Sequence, residues 1–186
     1  MSRFAIEPLM PGGPARVIRK PIGDARGSFA RLFCADELAD AGWSGPVAQT
    51  NLSITSQRGT LRGMHFQRPP HVETKLVLCL AGAVWDIAVD IRAGSRARLA
   101  HVAAELSAED GAAMLIPPGF AHGFQTLTDN VQLLYFHSAA HAPEAEGGLD
   151  PFDPALALVW PLEPTVISDR DRRWPRIAGD FQGVSV

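Results

Sequence analysis

The 15 prolines and 17 glycines are scattered between short apolar runs, so that few stretches are long enough for more than a turn or two of helix. This punctuation predicts an all-β body. Candidate strands are Ala15 to Arg19, Phe29 to Phe33, Val47 to Ile54, Leu61 to Phe66, Thr74 to Leu80, Ala83 to Ile91, Ala97 to Ala103, Ala113 to Ile116, His122 to Leu127 and Val131 to His137. Their number suits a sandwich or barrel. Ala81-Gly82 reads as a hairpin turn pairing the runs on either side. Short helices are expected at Asp36 to Ala41, capped by Asp36 and stopped by Gly42, and at Ser168 to Arg172. The Pro-, Asp- and Gly-rich stretch from Pro143 to Pro164 reads as an extended return path.

The 186 residues fit one domain, 1–186, since a core of that size buries roughly 70% of the unfolded surface. A net charge of -3, with Arg and Asp/Glu intermixed, argues against nucleic acid as a partner and favours small-molecule chemistry. Met1 to Gly13 lacks a cationic flank leading into an apolar run. No later stretch approaches the roughly 18 apolar residues of a membrane span. A cytoplasmic location with no membrane partner is the expectation. Cys34 and Cys79 show no metal-finger spacing and are read as packed free thiols.

Along Ala83 to Ile91, alternation puts Trp85, Ile87, Val89 and Ile91 on one face and Asp86, Ala88 and Asp90 on the other. A carboxylate pointing inward is costly unless paired, so Asp86 needs a partner, for which Lys75 and His65 are candidates. Lys75 shares parity with Val77 and Cys79 and would open an otherwise apolar inward row. Arg62 and His65 fall on opposite faces of a regular strand. A β-bulge at Gly63 would bring both to one cavity. His71, His101 and His137 are read as structural, and Trp85, Phe124 and Trp160 as packing.

Two spacings resemble the cupin motifs: Gly59, five residues, His65, then Gln67, Glu73 and Gly82; and Gly111, five residues, Pro117, Pro118, Gly119, two residues, His122. In metal cupins the first motif carries two His separated by one residue. Here Gln67 stands in place of the second. A metal-dependent cupin enzyme would have to use His65, His122 and Glu73.

From Asp24 to Pro175 the chain resembles the dTDP-4-dehydrorhamnose 3,5-epimerase family. The likeness is carried by Asp24-x-Arg26-Gly27-x-Phe29, Gln49-x-Asn51-x-Ser53, Leu61-Arg62-Gly63-x-His65-x-Gln67, Lys75-Leu76-Val77, Asp86-x-Ala88-Val89-Asp90-x-Arg92, Ile116-Pro117-x-Gly119-Phe120-Ala121-His122-Gly123-Phe124, Trp160-Pro161 and Ser168-x-x-Asp171. The resemblance implies a metal-free, cofactor-free cupin, a double-stranded β-helix or jelly roll with a few short peripheral helices, working as a homodimer. Its substrate would be a nucleoside-diphosphate 4-keto-6-deoxyhexose, inverted at C3 and C5.

By the same resemblance His65 is the base, Asp171 its partner, Lys75 the cation at the developing enolate oxygen and Tyr135 the acid on the opposite face. Asp86 assists. A His with an ordinary pKa near 6.5 is largely neutral at pH 7 and can accept a proton. Arg62 and His122 suit the diphosphate, and Arg26, Phe29, Gln49 and Asn51 the nucleotide and sugar. Alternatives are an epimerase acting at C3 or C5 alone on another nucleotide sugar, and a cupin that binds a sugar without turnover. Arg31, where the family commonly has Glu, and His141, where Tyr is usual, are departures expected near the nucleotide.

Overall fold

The computed structural model describes residues 2–179 and 181–186; Met1 and Asp180, both inside the expected 1–186 domain, lie outside the described residues. Strands hold 43% of the chain and helices 7%, as the Gly/Pro punctuation predicts. In chain order the strands are β1 (Phe4–Pro8), β2 (Ala15–Arg19), β3 (Ile22–Asp24), β4 (Gly27–Phe29), β5 (Gln49–Thr55), β6 (Thr60–Gln67), β7 (Lys75–Ala81), β8 (Ala83–Asp90), β9 (His101–Ser107), β10 (Ala112–Ile116), β11 (Phe120–Thr126), β12 (Val131–His137), β13 (Glu146–Gly148) and β14 (Val166–Ile167). One sheet runs β1-β2-β10-β7-β12-β5. The other runs β13-β6-β11-β8-β9, with β14 added to β6. The expected all-β jelly roll is thus formed by two mainly antiparallel sheets.

Inward rows of both sheets meet in one core: Val77 and Cys79, Met114 and Ile116, and Val131 and Leu133 from the first, Val84, Ala88, Phe120 and Phe124 from the second. The opposite parity is covered too. Leu76, Leu78 and Leu115 pack beneath Leu38 and Trp43. Ile87, Val89 and Met64 pack under the return path, against Leu149 and Leu156. With apolar cover on both faces, the strands read as near-continuous apolar runs rather than clean alternations. Cys79 is buried and Cys34 half-buried, both free, and burial pushes the Cys79 thiol up to about 11.

The Ala81-Gly82 turn does not make a hairpin. β7 pairs with β10 and β12, whereas β8 pairs with β11 and β9, so Gly82 is the corner where the chain changes sheet. Its φ is +73°, and a Cβ at this position would fall 2.3 Å from Thr128 Oγ1, which explains why glycine stands there. The strand expected at Phe29 to Phe33 is displaced: Asp24 accepts the Arg26 N–H at 2.8 Å, closing a tight β3–β4 hairpin, and Leu32 and Phe33 follow as packed, irregular chain. The strand expected at Ala97 to Ala103 starts at His101, because residues 95–100 are spent on turns, with Leu99 at φ +70°.

The first helix (α1, Ala35–Leu38, continued by a 3-10 turn over Ala39–Ala41) stops at Gly42 as expected, but its N-cap is Cys34 and Asp36 lies in its first turn. The second is a 3-10 turn, Asp171–Arg173. The return path contributes β13, which pairs with β6. Among the described residues no helix is long and apolar enough to cross a membrane.

The register between β6 and β11 shifts: His65 lies opposite His122, but Arg62 lies opposite Phe124. That is the irregularity expected at Gly63, whose φ is +138° and whose Cβ, if present, would meet the Gly123 Cα at 2.6 Å. Gly63→Ala is therefore expected to cost about 2–4 kcal/mol through strain and backbone clash. Urea titration should show a lower midpoint at unchanged slope; a midpoint equal to wild type would refute this account of the bulge.

Candidate active site

A cavity of about 350 Å³ opens at one end of the sandwich, lined by β5, β6, β7, β11 and β12 and by the segment around His141 and Glu146. The shift at Gly63 lets Arg62 and His65 line it together, Arg62 with its side chain exposed and His65 half-buried. Lys75, Tyr135 and His122 join them from the inward rows of their strands, and Gln49 and Asn51 from the edge strand β5.

His65 Nε2 stands 2.7 Å from Asp171 Oδ1. Asp171 is 2% exposed and is fixed by accepting the Gly63 N–H at 3.2 Å and by donating its own N–H to Ser168 Oγ. Burial pushes its carboxyl upward, yet the bond and charge of His65, the Gly63 N–H and nearby Arg170 together hold it below the usual carboxylate range. An ionised carboxylate at 2.7 Å requires Nε2 to carry the proton. Nδ1, with no hydrogen-bond partner among the described residues, is left to accept one. The Arg170 guanidinium, 3.3 Å from Nε2 and paired with Glu146 at 2.9 Å, adds positive charge beside the dyad.

Asp86 is fully buried and grips a second histidine: its two oxygens lie 2.9 and 3.1 Å from His122 Nε2. The expectation that Lys75 or His65 would neutralise Asp86 is thereby corrected. Across the β8–β11 register His122 is opposite Ala88, one inward position along, and so nearer than either. Asp86 does not itself line the cavity; it touches His122, which does.

Lys75 instead pairs with Glu73 at 3.1 Å, and Glu73 also meets His137 Nδ1 at 2.7 Å. Burial pushes the Glu73 carboxyl up, but the Lys75 charge and the His137 bond outweigh it and leave it low. Tyr135 presents its ring between those of His122 and His137. Burial, followed by the negative charge of Asp86, drives its phenol well above the ordinary range, so it stays protonated at neutral pH.

The structure brings His65, Asp171, Lys75, Tyr135, Arg62, His122, Gln49 and Asn51 to one place. It does not bring Arg26 or Phe29 there: Arg26 is paired with Asp24 on the exposed β3–β4 hairpin and Phe29 is 72% exposed. Arg31 is likewise turned away, bonded to Glu37, whereas His141 does line the cavity. The three side chains of the metal alternative, His65, His122 and Glu73, each answer to a different partner. Among the described residues no group of three or more His, Cys, Asp or Glu is arranged to hold a metal ion.

Sequence reasoning misses Glu146 and Arg170, and it reads His137 as structural and Phe124 as packing; all four line the cavity. For His137 a signal is present, since it shares inward parity with Tyr135. For Glu146 and Arg170, which sit outside the main strands, there is none.

The family model described as dTDP-4-dehydrorhamnose 3,5-epimerase matches residues 13–179. The chain is 40% identical over 175 residues to a dTDP-4-dehydrorhamnose 3,5-epimerase of Sinorhizobium fredii, covering 90% of this chain and 88% of that protein. It is 39% identical over 158 residues, 83% of this chain and 80% of the other, to a dTDP-4-dehydro-6-deoxyglucose 3-epimerase of a Streptomyces species. Among solved structures, the Legionella pneumophila dTDP-6-deoxy-D-glucose-3,5-epimerase in complex with dTDP-4-keto-L-rhamnose superposes with a TM-score of 0.84 at 37% identity, over 90% of this chain and 89% of that one.

Because the folded-state pKa of Asp171 is depressed, its bond to His65 stabilises the protein fully above the unfolded value, about 3.9, and less as pH falls through the lower folded one. Urea denaturation between about pH 7 and about pH 3 should show the stability gap between wild type and Asp171→Asn narrowing at the acid end. A gap constant across that range would contradict the assignment.

Proposed function

The chain belongs to the dTDP-4-dehydrorhamnose 3,5-epimerase family, and from that premise we propose that it inverts C3 and C5 of a dTDP-4-keto-6-deoxyhexose by proton transfer through an enolate. The carrying observation is one cavity that holds a histidine with its partnered carboxylate, a protonated phenol and a lysine. Nδ1 of His65 takes the proton from the carbon beside the ketone, and the C–H electrons move onto the ketone oxygen. The imidazolium so formed is stabilised by Asp171.

Lys75 faces the negative charge that develops on that oxygen, a preorganised stabilisation of about 3 kcal/mol. The Tyr135 O–H then delivers a proton to the other face and the ketone re-forms, so each carbon ends with as many bonds to hydrogen as it began. Arg62 and His122 receive the diphosphate, and Gln49, Asn51 and His141 the nucleotide end. Similarity to 3-epimerases as well as 3,5-epimerases supports, as a second reading, inversion at C3 alone.

Incubation with dTDP-4-keto-6-deoxyglucose in D₂O is expected to place deuterium at both C3 and C5, read by NMR. Label at C3 alone establishes the mono-epimerase, and no label at either carbon overturns the proposal. His65→Ala should lower exchange at both positions by about 10²–10⁴-fold. Tyr135→Phe should still exchange while largely failing to invert.

We also propose a cytoplasmic homodimer formed through β5 and the β3–β4 hairpin. Among the described residues β5 pairs on one side only, as the edge of its sheet; Leu52 and Ile54 expose large apolar surface along it, and Ile22 and Phe29 do so on the hairpin. In such a dimer Arg26 and Phe29 of one protomer serve the cavity of its partner, which accounts for their distance from their own. Sedimentation should give a dimer that Ile54→Lys dissociates; a wild-type monomer at micromolar concentration would disprove it.

A further inference from the structure

His137 sits on β12 directly opposite Gln49 of β5 on one side and Lys75 of β7 on the other. Through it runs a chain of hydrogen bonds whose direction can be worked out from one end. The backbone N–H of His141 can only donate, and it donates to Gln49 Oε1 at 2.9 Å. With its oxygen so engaged, the Gln49 amide turns Nε2 to Asn51 Oδ1 at 3.1 Å. Asn51 is then committed to presenting Nδ2, which lies 3.4 Å from His137 Nε2. Nε2 must accept, so the proton of His137 is on Nδ1, the atom 2.7 Å from Glu73 Oε2. The other oxygen of Glu73 takes Lys75 Nζ at 3.1 Å.

We propose that His137 is a positioning residue of this site: as a neutral imidazole protonated at Nδ1, it locks the Asn51 and Gln49 amides toward the substrate with one nitrogen and the Glu73–Lys75 pair with the other. A proton added at Nε2 would set two donors against each other at Asn51. Asn51 could turn its oxygen only by presenting a donor to the Gln49 donor, so the whole chain would fail together. The charged or titratable groups facing His137 are Glu73 and Lys75, with Tyr135 stacked on it from its own strand; β5 offers only the two amides. Across the cavity stand Arg62 and His65 of β6 and His122 of β11.

The inference rests on the reading of Lys75 and Asn51 as substrate-facing groups, and two variants separate the links. In His137→Asn the shorter amide can still donate to Glu73 but falls short of Asn51. In His137→Gln the longer one can accept from Asn51 but no longer donates well to Glu73. His137→Asn is expected to raise KM for dTDP-4-keto-6-deoxyglucose about five- to tenfold with kcat within about twofold, and His137→Gln to lower kcat about tenfold with a smaller change in KM.

Melting temperature is measured on both variants. Kinetic constants that stay within about twofold of wild type in both, or that fall in equal proportion with a lowered Tm, would make His137 merely structural and overturn the proposal. Two-bond ¹H–¹⁵N spectra of the wild-type chain, with His137 assigned by its loss in a variant, decide the protonated nitrogen independently of turnover. Nδ1–H at about pH 8 supports the proposal; Nε2–H or the doubly protonated ring refutes it. Absence of turnover by the wild type would count against the epimerase reading and leave the nitrogen spectra to judge this one.

Discussion

A carboxylate buried away from water has to be matched by a donor, because desolvation would otherwise neutralise it or unfold its surroundings. Three buried carboxylates stand in or behind the cavity wall, and each holds a histidine that lines it: Asp171 with His65, Asp86 with His122, Glu73 with His137. The repetition is not redundant. Asp171 leaves its histidine a free acceptor nitrogen, Asp86 braces its histidine from deep in the core, and Glu73 divides itself between a histidine and a lysine. Each partner fixes both the tilt of a ring and the nitrogen that carries its proton, so the fold determines which of several similar side chains can take up a proton. The apolar rows beneath them exist on the same terms, since they exclude the water that would otherwise compete for these pairs.

How much of this is legible in the residues alone depends on whether the information is local. Inward and outward rows of β8 follow from period-2 alternation, and Ile87 and Val89 do fall opposite Asp86 and Ala88. The irregularity at Gly63 is legible because two residues with an apparent common purpose, Arg62 and His65, have the wrong parity. The turn at Gly82 is also legible, but not what it joins. A glycine with positive φ looks the same in a hairpin and at a corner between sheets, and only the pairing of distant strands distinguishes them.

Partners chosen by register are out of reach for the same reason. Nothing near Asp86 in sequence says that β11 rather than β6 or β7 brings the side chain that meets it. The Asp24–Arg26 turn overrides an apolar run that looks like a strand, and it carries Phe29 out to solvent. Similarity to a known family locates Asp171 and Tyr135 where periodicity alone does not, since the first sits in a short turn and the second on a strand apolar on both faces.

Asp171 lies 106 residues beyond the histidine it serves, in a 3-10 turn near the end of the chain. The strands from β1 to β12 are complete before that turn is reached. Contacts across so long a loop are entropically late ones. On a ribosome, or in a refolding experiment, the two sheets can close while His65 still lacks its carboxylate. In the mechanism proposed above, competence for catalysis is then a report on a late-docking segment rather than on the sandwich itself. A regain of secondary structure that runs ahead of a regain of activity is the natural consequence of where this one residue is encoded.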